Sequence, residues 1–392
     1  MTPAFRYCFG SLILLAIVGT ACSSAGDEGK TLLGEPATVL AEFDGSLGGL
    51  SPDGELIFLR RPSVTDPDQW FPCLVEIAGG AERFCIDERP GQVALQRWSA
   101  DSSHVAFTRV SPFDGGPQSS EILVVAVDTG SVAVIADEQA KLDRPSFSPS
   151  GDRVVYRRQV SGEEPWFDLY DLERGEAVAT VPDAPGGFTF SPHMIDESTA
   201  VFGIKDELVT INFDTGEVEV ALDHTDLFEP SGYKKTEQVL FDQPLLPGYQ
   251  LDDARLVVID PNMNIAMNVT GGIEGFTSGS YLADLDEGTL EPLLQKGPEQ
   301  GGWIGPFSTH AAGGSQIVIS WLNTPTESPR DNELRFSLLD LAVEELPVVP
   351  SDLPLLWTPE PASLLSSGVS SVFTMAVPGE GSTTQLLQLA TD

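Results

Sequence analysis

Leu50-Ser-Pro-Asp-Gly-Glu-Leu-Ile-Phe58 reads as a tight turn feeding an apolar strand. Proline presets a turn φ, aspartate hydrogen-bonds the backbone that follows it, and glycine supplies a positive φ. The run Leu56-Ile57-Phe58 has no polar position. A strand with one wet face alternates apolar and polar residues, whereas a strand without polar positions is buried on both faces. The fold must therefore cover this strand from two sides.

The pattern returns along the chain. Trp98-Ser-Ala-Asp-Ser-Ser-His-Val-Ala-Phe107 and Phe147-Ser-Pro-Ser-Gly-Asp-Arg-Val-Val-Tyr156 are close copies. Phe190-Ser-Pro-His193 begins a fourth with Ala200-Val-Phe202 as its run, and Pro230-Ser-Gly232 leading to Val239-Leu-Phe241 reads as a fifth. Ser51, Ser99, Ser148 and Ser191 are 48, 49 and 43 residues apart. A second element interleaves: an apolar strand, an Asp/Gly turn and another strand. Its copies are Leu123–Gly130, Leu169–Gly175, Val209–Gly216 and Tyr281–Gly288, with Phe336–Leu341 degenerate. A period of about 40–50 residues matches a four-stranded propeller blade. One blade cannot bury both its faces, so blades must close into a ring.

These residues resemble the TolB-type, WD40-like β-propeller repeat, most clearly over about Phe43 to Gly216. The resemblance implies an all-β propeller and, usually, a binding or scaffolding role. Counting both elements gives seven four-stranded blades. Six end near Arg83, Ile135, Ala179, Leu222, Leu294 and Val349, and the seventh runs from Leu355 to Leu389. That last blade is one strand short, and Ala37–Phe43 can supply the strand that closes the ring. Gly216 to Gly288 is too long for one blade. Either it carries insertions around Asp223–Gln250 and Gly271–Ser280, or an eighth blade holds Leu256–Asp260.

At the N-terminus, Arg6 precedes an apolar run from Cys8 to Val18. The run is shorter than the ~20 apolar residues of a membrane span and suits a secretory signal. Gly19-Thr-Ala-Cys22 then resembles the lipobox of bacterial lipoproteins, with Gly19 where a larger apolar residue is usual. The resemblance implies acylation of Cys22 and cleavage before it; the alternative is an ordinary signal cut after Ala21. The domains expected are a lipoprotein signal peptide (1–21), a flexible polar tether (22–34) and the propeller (35–392). The partner implied first is a membrane, through the lipid on Cys22. In a cell with two membranes, Ser23 lacks the Asp that commonly retains lipoproteins at the inner one, which favours the outer; otherwise the expected place is the cell surface.

Cys73 and Cys85 flank strand, turn and strand, with Gly79 at the midpoint. They are expected opposite each other in a hairpin as a disulfide, which export permits. No third Cys or nearby His completes a metal set.

The formal net charge is −38, from 21 basic and 59 acidic residues. Such a field repels phosphate backbones, so nucleic acid is excluded as a partner. No G-x-S-x-G, Walker A, G-x-G-x-x-G or H-E-x-x-H motif occurs. The four histidines, His104, His193, His224 and His310, fall in or near turns and loops. Asp260–Asn264 lacks the glycine and terminal glutamate of a calcium loop, and Asp284–Gly288 reads as a hairpin turn. Trp70, Trp166 and Trp303 are expected in loops, and Trp98 and Trp357 in strands. No cofactor and no catalytic residue are expected. The reading is a lipid-anchored, non-catalytic module of the cell envelope that binds a protein, peptide or glycan through Asp223–Gln250, Gly271–Ser280 or the central funnel. The alternatives are an extracytoplasmic hydrolase or lyase using funnel carboxylates, and an accessory subunit of an envelope complex.

Overall fold

The computed structural model describes residues 38–44, 46–62, 70–86, 92–110, 120–138, 140–142, 145–160, 162–182, 192–204, 207–223, 246–251, 254–259, 280–293, 309–313, 316–323, 333–340, 363–365, 373–378 and 383–389. Every regular element among them is a β-strand. The first is β1 (Thr38–Asp44). Next come β2 (Ser46–Leu50), β3 (Leu56–Pro62), β4 (Trp70–Glu76) and β5 (Glu82–Cys85), hydrogen-bonded in that order as an antiparallel meander. The second sheet is β6 (Gln92–Trp98), β7 (His104–Val110), β8 (Ser120–Ala126) and β9 (Val132–Glu138). In the third, β10 (Ala140–Leu142) and β11 (Ser146–Phe147) pair opposite halves of β12 (Arg153–Val160), followed by β13 (Trp166–Asp171) and β14 (Glu176–Pro182). The fourth is β15 (His193–Met194), β16 (Thr199–Ile204), β17 (Glu207–Asn212) and β18 (Glu217–Asp223).

The fifth sheet is β19 (Leu246–Gln250), β20 (Arg255–Ile259), β21 (Ser280–Asp284) and β22 (Thr289–Pro292). The sixth has three described strands, β23 (Thr309–Gly313), β24 (Gln316–Asn323) and β25 (Glu333–Asp340). The seventh is β26 (Ser363–Leu365), β27 (Phe373–Pro378) and β28 (Thr383–Leu389), with β1 paired antiparallel to β28. The first strand of the chain is thus the outer strand of the last sheet. Its register sets Thr38 against Gln388 and Asp44 against Thr383. The inner strands β2, β6 and β11 contact one another in succession, and β11 meets β15. The chain is an all-β propeller.

Why the second strands β3, β7, β12, β16 and β20 each carry an apolar run is visible in their packing. Leu56 and Phe58 of β3 join Val105 and Phe107 of β7, with the Phe58 and Phe107 rings 5.4 Å apart. The residues between them, Ile57 and Leu59, turn the other way and pack with Phe43 of β1. Ala106 of β7 packs with Val154 and Tyr156 of β12, and Val155 with Ala200 and Phe202 of β16. Val201 then faces Leu256 and Val258 of β20. Successive residues thus bury into successive seams, each large apolar side chain contributing about 1.5–3 kcal/mol. Outer strands lack a neighbour on one side, and there Val132, Val134, Val218 and Val220 are exposed.

One reading of the repeat needs correcting. The fourth turn is Ile195–Ser198, not Ser191–His193, and His193 lies in β15. Ile195 donates its N–H to Thr199 O as Ser148 does to Arg153 O. It stands 47 residues after Ser148, which makes the period more even than Ser191 suggested. The second strand of the fifth sheet is β20, with the apolar run Leu256–Val258, and Val239–Phe241 lies outside the described residues. Leu256–Ile259 therefore pairs within the fifth sheet instead of founding another. Its turn, Leu251–Ala254, carries no Ser, Pro or Gly to mark it.

Candidate functional site

The meander gives the ring two unlike ends. In the first five sheets, connections between first and second strands, and between third and fourth, leave from one end and span four or five residues: Ser51–Glu55, Ile77–Ala81, Leu172–Gly175 and Phe213–Gly216 are examples. Connections between second and third strands, and from sheet to sheet, leave from the other end. These include 63–69, 111–119, 224–245 and 260–279. Both expected recognition segments join strands at the long-connection end, but Leu246–Gln250 of the first is the strand β19 and not part of a loop, and Ser280 of the second opens β21; 224–245 and 271–279 lie outside the described residues. Because β1 runs opposite to β28, Thr38 stands at the short-turn end and Asp44 at the long-connection end.

The short-turn end is a set of interlocked turns. Ser51 Oγ donates to Asp53 Oδ1 and accepts from Leu56 N. Ser99 with Asp101, and Ser148 with Ser150, repeat that bracing. In the second turn Ser102 occupies the glycine position with φ +63°, a left-handed value that L side chains resist. Its Oγ accepts the N–H of Asp53 in the preceding turn at 3.0 Å. Gly151 is equivalent in the third turn, and a Cβ there would stand 3.1 Å from Ser99 Cβ and 3.2 Å from Asp101 Oδ1. Ser150 donates from both N and Oγ to Glu197, and Arg153 donates to Glu197 O.

Burial alone would raise Asp101, but hydrogen bonds from Ser99 and Ser103, with His104 nearby, outweigh it and hold the carboxyl below the ordinary aspartate value. Glu197 likewise is held low: burial is outweighed by bonds from Ser150 and Ser148 and by the charge of Arg153. These carboxylates are structural hydrogen-bond acceptors. An open groove of about 550 Å³ beside the first turn is lined by Glu55, Glu76, Ile77 and Arg83.

The long-connection end carries a feature that the repeat reading passed over. The second strands of the first three sheets end in arginines: Arg60 and Arg61, Arg109, then Arg157 and Arg158. Arg109 forms a buried ion pair with Glu121, and Arg61 pairs with Glu82. Arg158 lies 3.2 Å from Asp168, which accepts a 2.6 Å bond from Thr180 Oγ1, and its guanidinium sits 4.4 Å over the Trp166 ring. The signal was present as Arg one to three positions after Phe58, Phe107 and Tyr156.

Cys73 and Cys85 are directly opposite in the β4–β5 hairpin, with Cα atoms 4.1 Å apart, and are joined as a disulfide. Together with Glu82 they form a cluster of ligand-type groups, but both sulfurs are engaged in that bond. Cys22, the tether, Trp303, Trp357, His224 and Asp260–Asn264 lie outside the described residues. Trp70 and Trp166 open β4 and β13 at the long-connection end, and Trp98 packs against the seam that holds Phe58. His104 opens β7 with Nδ1 2.8 Å from Ser103 Oγ, and His193 and His310 lie in the inner strands β15 and β23. Asp284 Oδ1 accepts from the N–H groups of Asp286 and Glu287, closing the β21–β22 hairpin turn.

No protein-family model and no curated protein matches the chain. Solved structures do. The β-propeller domain of the trilobed protease from Pyrococcus furiosus, described as having an open velcro topology, superposes with a TM-score of 0.51 at 12% identity, covering 86% of this chain and 96% of that one. An oligogalacturonate lyase solved in complex with manganese gives a TM-score of 0.52 at 12% identity, covering 91% and 97%. TolB from Acinetobacter baumannii gives 0.40 at 12% identity, with 88% of this chain spanning 63% of TolB. At such identities the first two similarities establish the fold alone.

Proposed function

We propose that this chain is a lipid-anchored β-propeller of the cell envelope, a non-catalytic module that binds a protein, peptide or glycan at its long-connection end. In this reading residues 1–21 are the signal, Cys22 carries the acyl chains, residues 22–34 are the tether, and 35–392 form seven blades with β1 completing the last. The observation that carries the reading is the direction of β1. Its first residue stands at the short-turn end, so a tether attached there leaves the opposite end, with its long connections, directed away from the membrane. The Cys73–Cys85 disulfide supports an extracytoplasmic place. The short-turn end bears Asp53, Asp101, Asp152, Asp171, Asp214 and Asp284, charges that oppose close contact with an anionic bilayer. The buried carboxylates Glu121 and Asp168 are held in ion pairs with arginines, which favours binding over acid–base chemistry at those positions.

Two measurements test it. Intact mass of the mature N-terminus is expected to show an acylated Cys22, and an unmodified cysteine overturns the anchor. Affinity capture from envelope extracts is expected to retain a specific component. That component should be lost when the 224–245 and 260–279 connections are replaced by short Gly/Ser linkers, and retention by that variant overturns the binding end.

A further inference from the structure

The seam between the first two sheets is apolar in its depth and cationic at its mouth. Leu56 and Phe58 line one wall, Val105 and Phe107 the other. Strand alternation places Arg60 on the Phe58 side and Arg109 on the Phe107 side, both towards the long-connection end. Arg109 is satisfied by Glu121 on the neighbouring strand. Arg61 and Arg158 have Glu82 and Asp168, and Arg157 is also engaged. Arg60 differs. Among the described residues it has no acidic partner; its Nε is buried without a hydrogen bond, as are those of Arg61 and Arg158, so the missing counter-charge is what sets it apart. Its backbone is fixed between Ser46 of β2 and Pro72 of β4, so the stem cannot simply swing away with the chain.

A half-buried guanidinium without a counter-charge is unfavourable, and burial draws the Arg60 pKa below the ordinary arginine value. Packing alone would be served better by an apolar side chain of similar length. In a chain of net charge −38, a cation left unpaired while its neighbours are paired is the exception.

We propose that Arg60, at the mouth of the seam between the first and second sheets, is a binding site for a carboxylate group. A planar guanidinium offers parallel N–H groups that match the two oxygens of a carboxylate. The Phe58–Phe107 pair beneath it excludes water, which strengthens the ion pair. The site deepens the binding reading above by naming the ligand chemistry, and it does not depend on the lipid at Cys22.

Acetate is the probe, titrated into the full chain at constant ionic strength against chloride. The readouts are the arginine Nε–Hε resonances and the thermal midpoint. Arg60→Met identifies the Arg60 resonance by deleting it. The inference expects a saturable acetate shift of that resonance, and a rise of the midpoint in the native chain and in Arg61→Gln. It expects the rise to fall at least tenfold in Arg60→Met, with that variant no less stable than the native chain without acetate. An unsaturated shift, an equal response to chloride, or an undiminished acetate effect in Arg60→Met overturns it. A large fall in the stability of Arg60→Met without acetate overturns it too, because it marks a structural arginine. Failure here leaves acylation of Cys22 and capture through the long connections to stand or fall on their own tests.

Discussion

Gly151→Ala is expected to destabilise the protein well beyond the conformational cost of its turn. Gly151 has φ +81°, and Gly216 has φ +73° in a hairpin turn. An L-residue in this region costs about 1–2 kcal/mol, so both alanine variants carry that term. Their surroundings differ. Nothing lies within 4 Å of a Cβ on Gly216, whereas a Cβ on Gly151 meets Ser99 Cβ at 3.1 Å and Asp101 Oδ1 at 3.2 Å. Asp101 cannot yield freely, because its Oδ1 accepts from Ser99 Oγ, Ser103 N and Ser103 Oγ. Overpacking of this kind costs about 1–3 kcal/mol. Gly151→Ala should therefore lie about 1–3 kcal/mol below Gly216→Ala in urea-unfolding free energy, read by tryptophan fluorescence and circular dichroism together. Equal losses in the two variants would refute the nesting of the third turn on the second, and with it the account of how neighbouring sheets are locked.

Three further outcomes follow from the same geometry. Ser102→Ala keeps the left-handed residue but removes the acceptor of Asp53 N–H, so it should cost about 1–2 kcal/mol. Ser102→Gly relieves the strain as it loses the bond and should be near neutral; the same urea titrations check both. Asp101 and Glu197 have folded pKa values below their unfolded ones, so their stabilisation is present above about pH 4 and is lost as pH falls through the folded values. Asp101→Asn and Glu197→Gln should thus melt lower than the native chain at neutral pH and converge with it as pH falls below the folded values of these carboxyls, as calorimetry across pH would show. Replacing Cys73 and Cys85 together by alanine should cost about 2–4 kcal/mol, measured by unfolding with and without reductant, with the reductant effect abolished in the variant.

Much of this architecture can be read from residue order. Leu56-Ile57-Phe58 lacks polar positions because its alternate side chains enter two different seams, and that requirement marks every second strand from β3 to β20. The opposition of Cys73 and Cys85 followed from a hairpin centred on Gly79, and the closing role of Ala37–Phe43 from a last blade one strand short. The misplacements have local causes. Ser191-Pro192 mimics the turn chemistry of the earlier copies, yet Asp196 caps the actual turn by accepting from Ser198 N and Thr199 N. Leu251–Ala254 makes its turn without Ser, Pro or Gly, so Leu256–Val258 could not be assigned to its sheet. The arginine mouth is illegible for another reason. Sequence shows that Arg60 and Arg109 end apolar runs, but only the ring reveals that they share a seam and that only one of them finds a partner there.

The claim on which the account rests is that β1 closes the ring on β28, because this pairing sets the fold and, in the proposed reading, the direction of the tether. Cysteine cross-linking of the native register tests it most directly. Glu42 stands opposite Gln385. The double variant Glu42→Cys/Gln385→Cys is expected to oxidise to a disulfide in the folded chain, identified by peptide mass, whereas Glu42→Cys/Thr383→Cys, offset by two residues, is not. Free thiols in the first pair, or equal cross-linking in both, would contradict the closure.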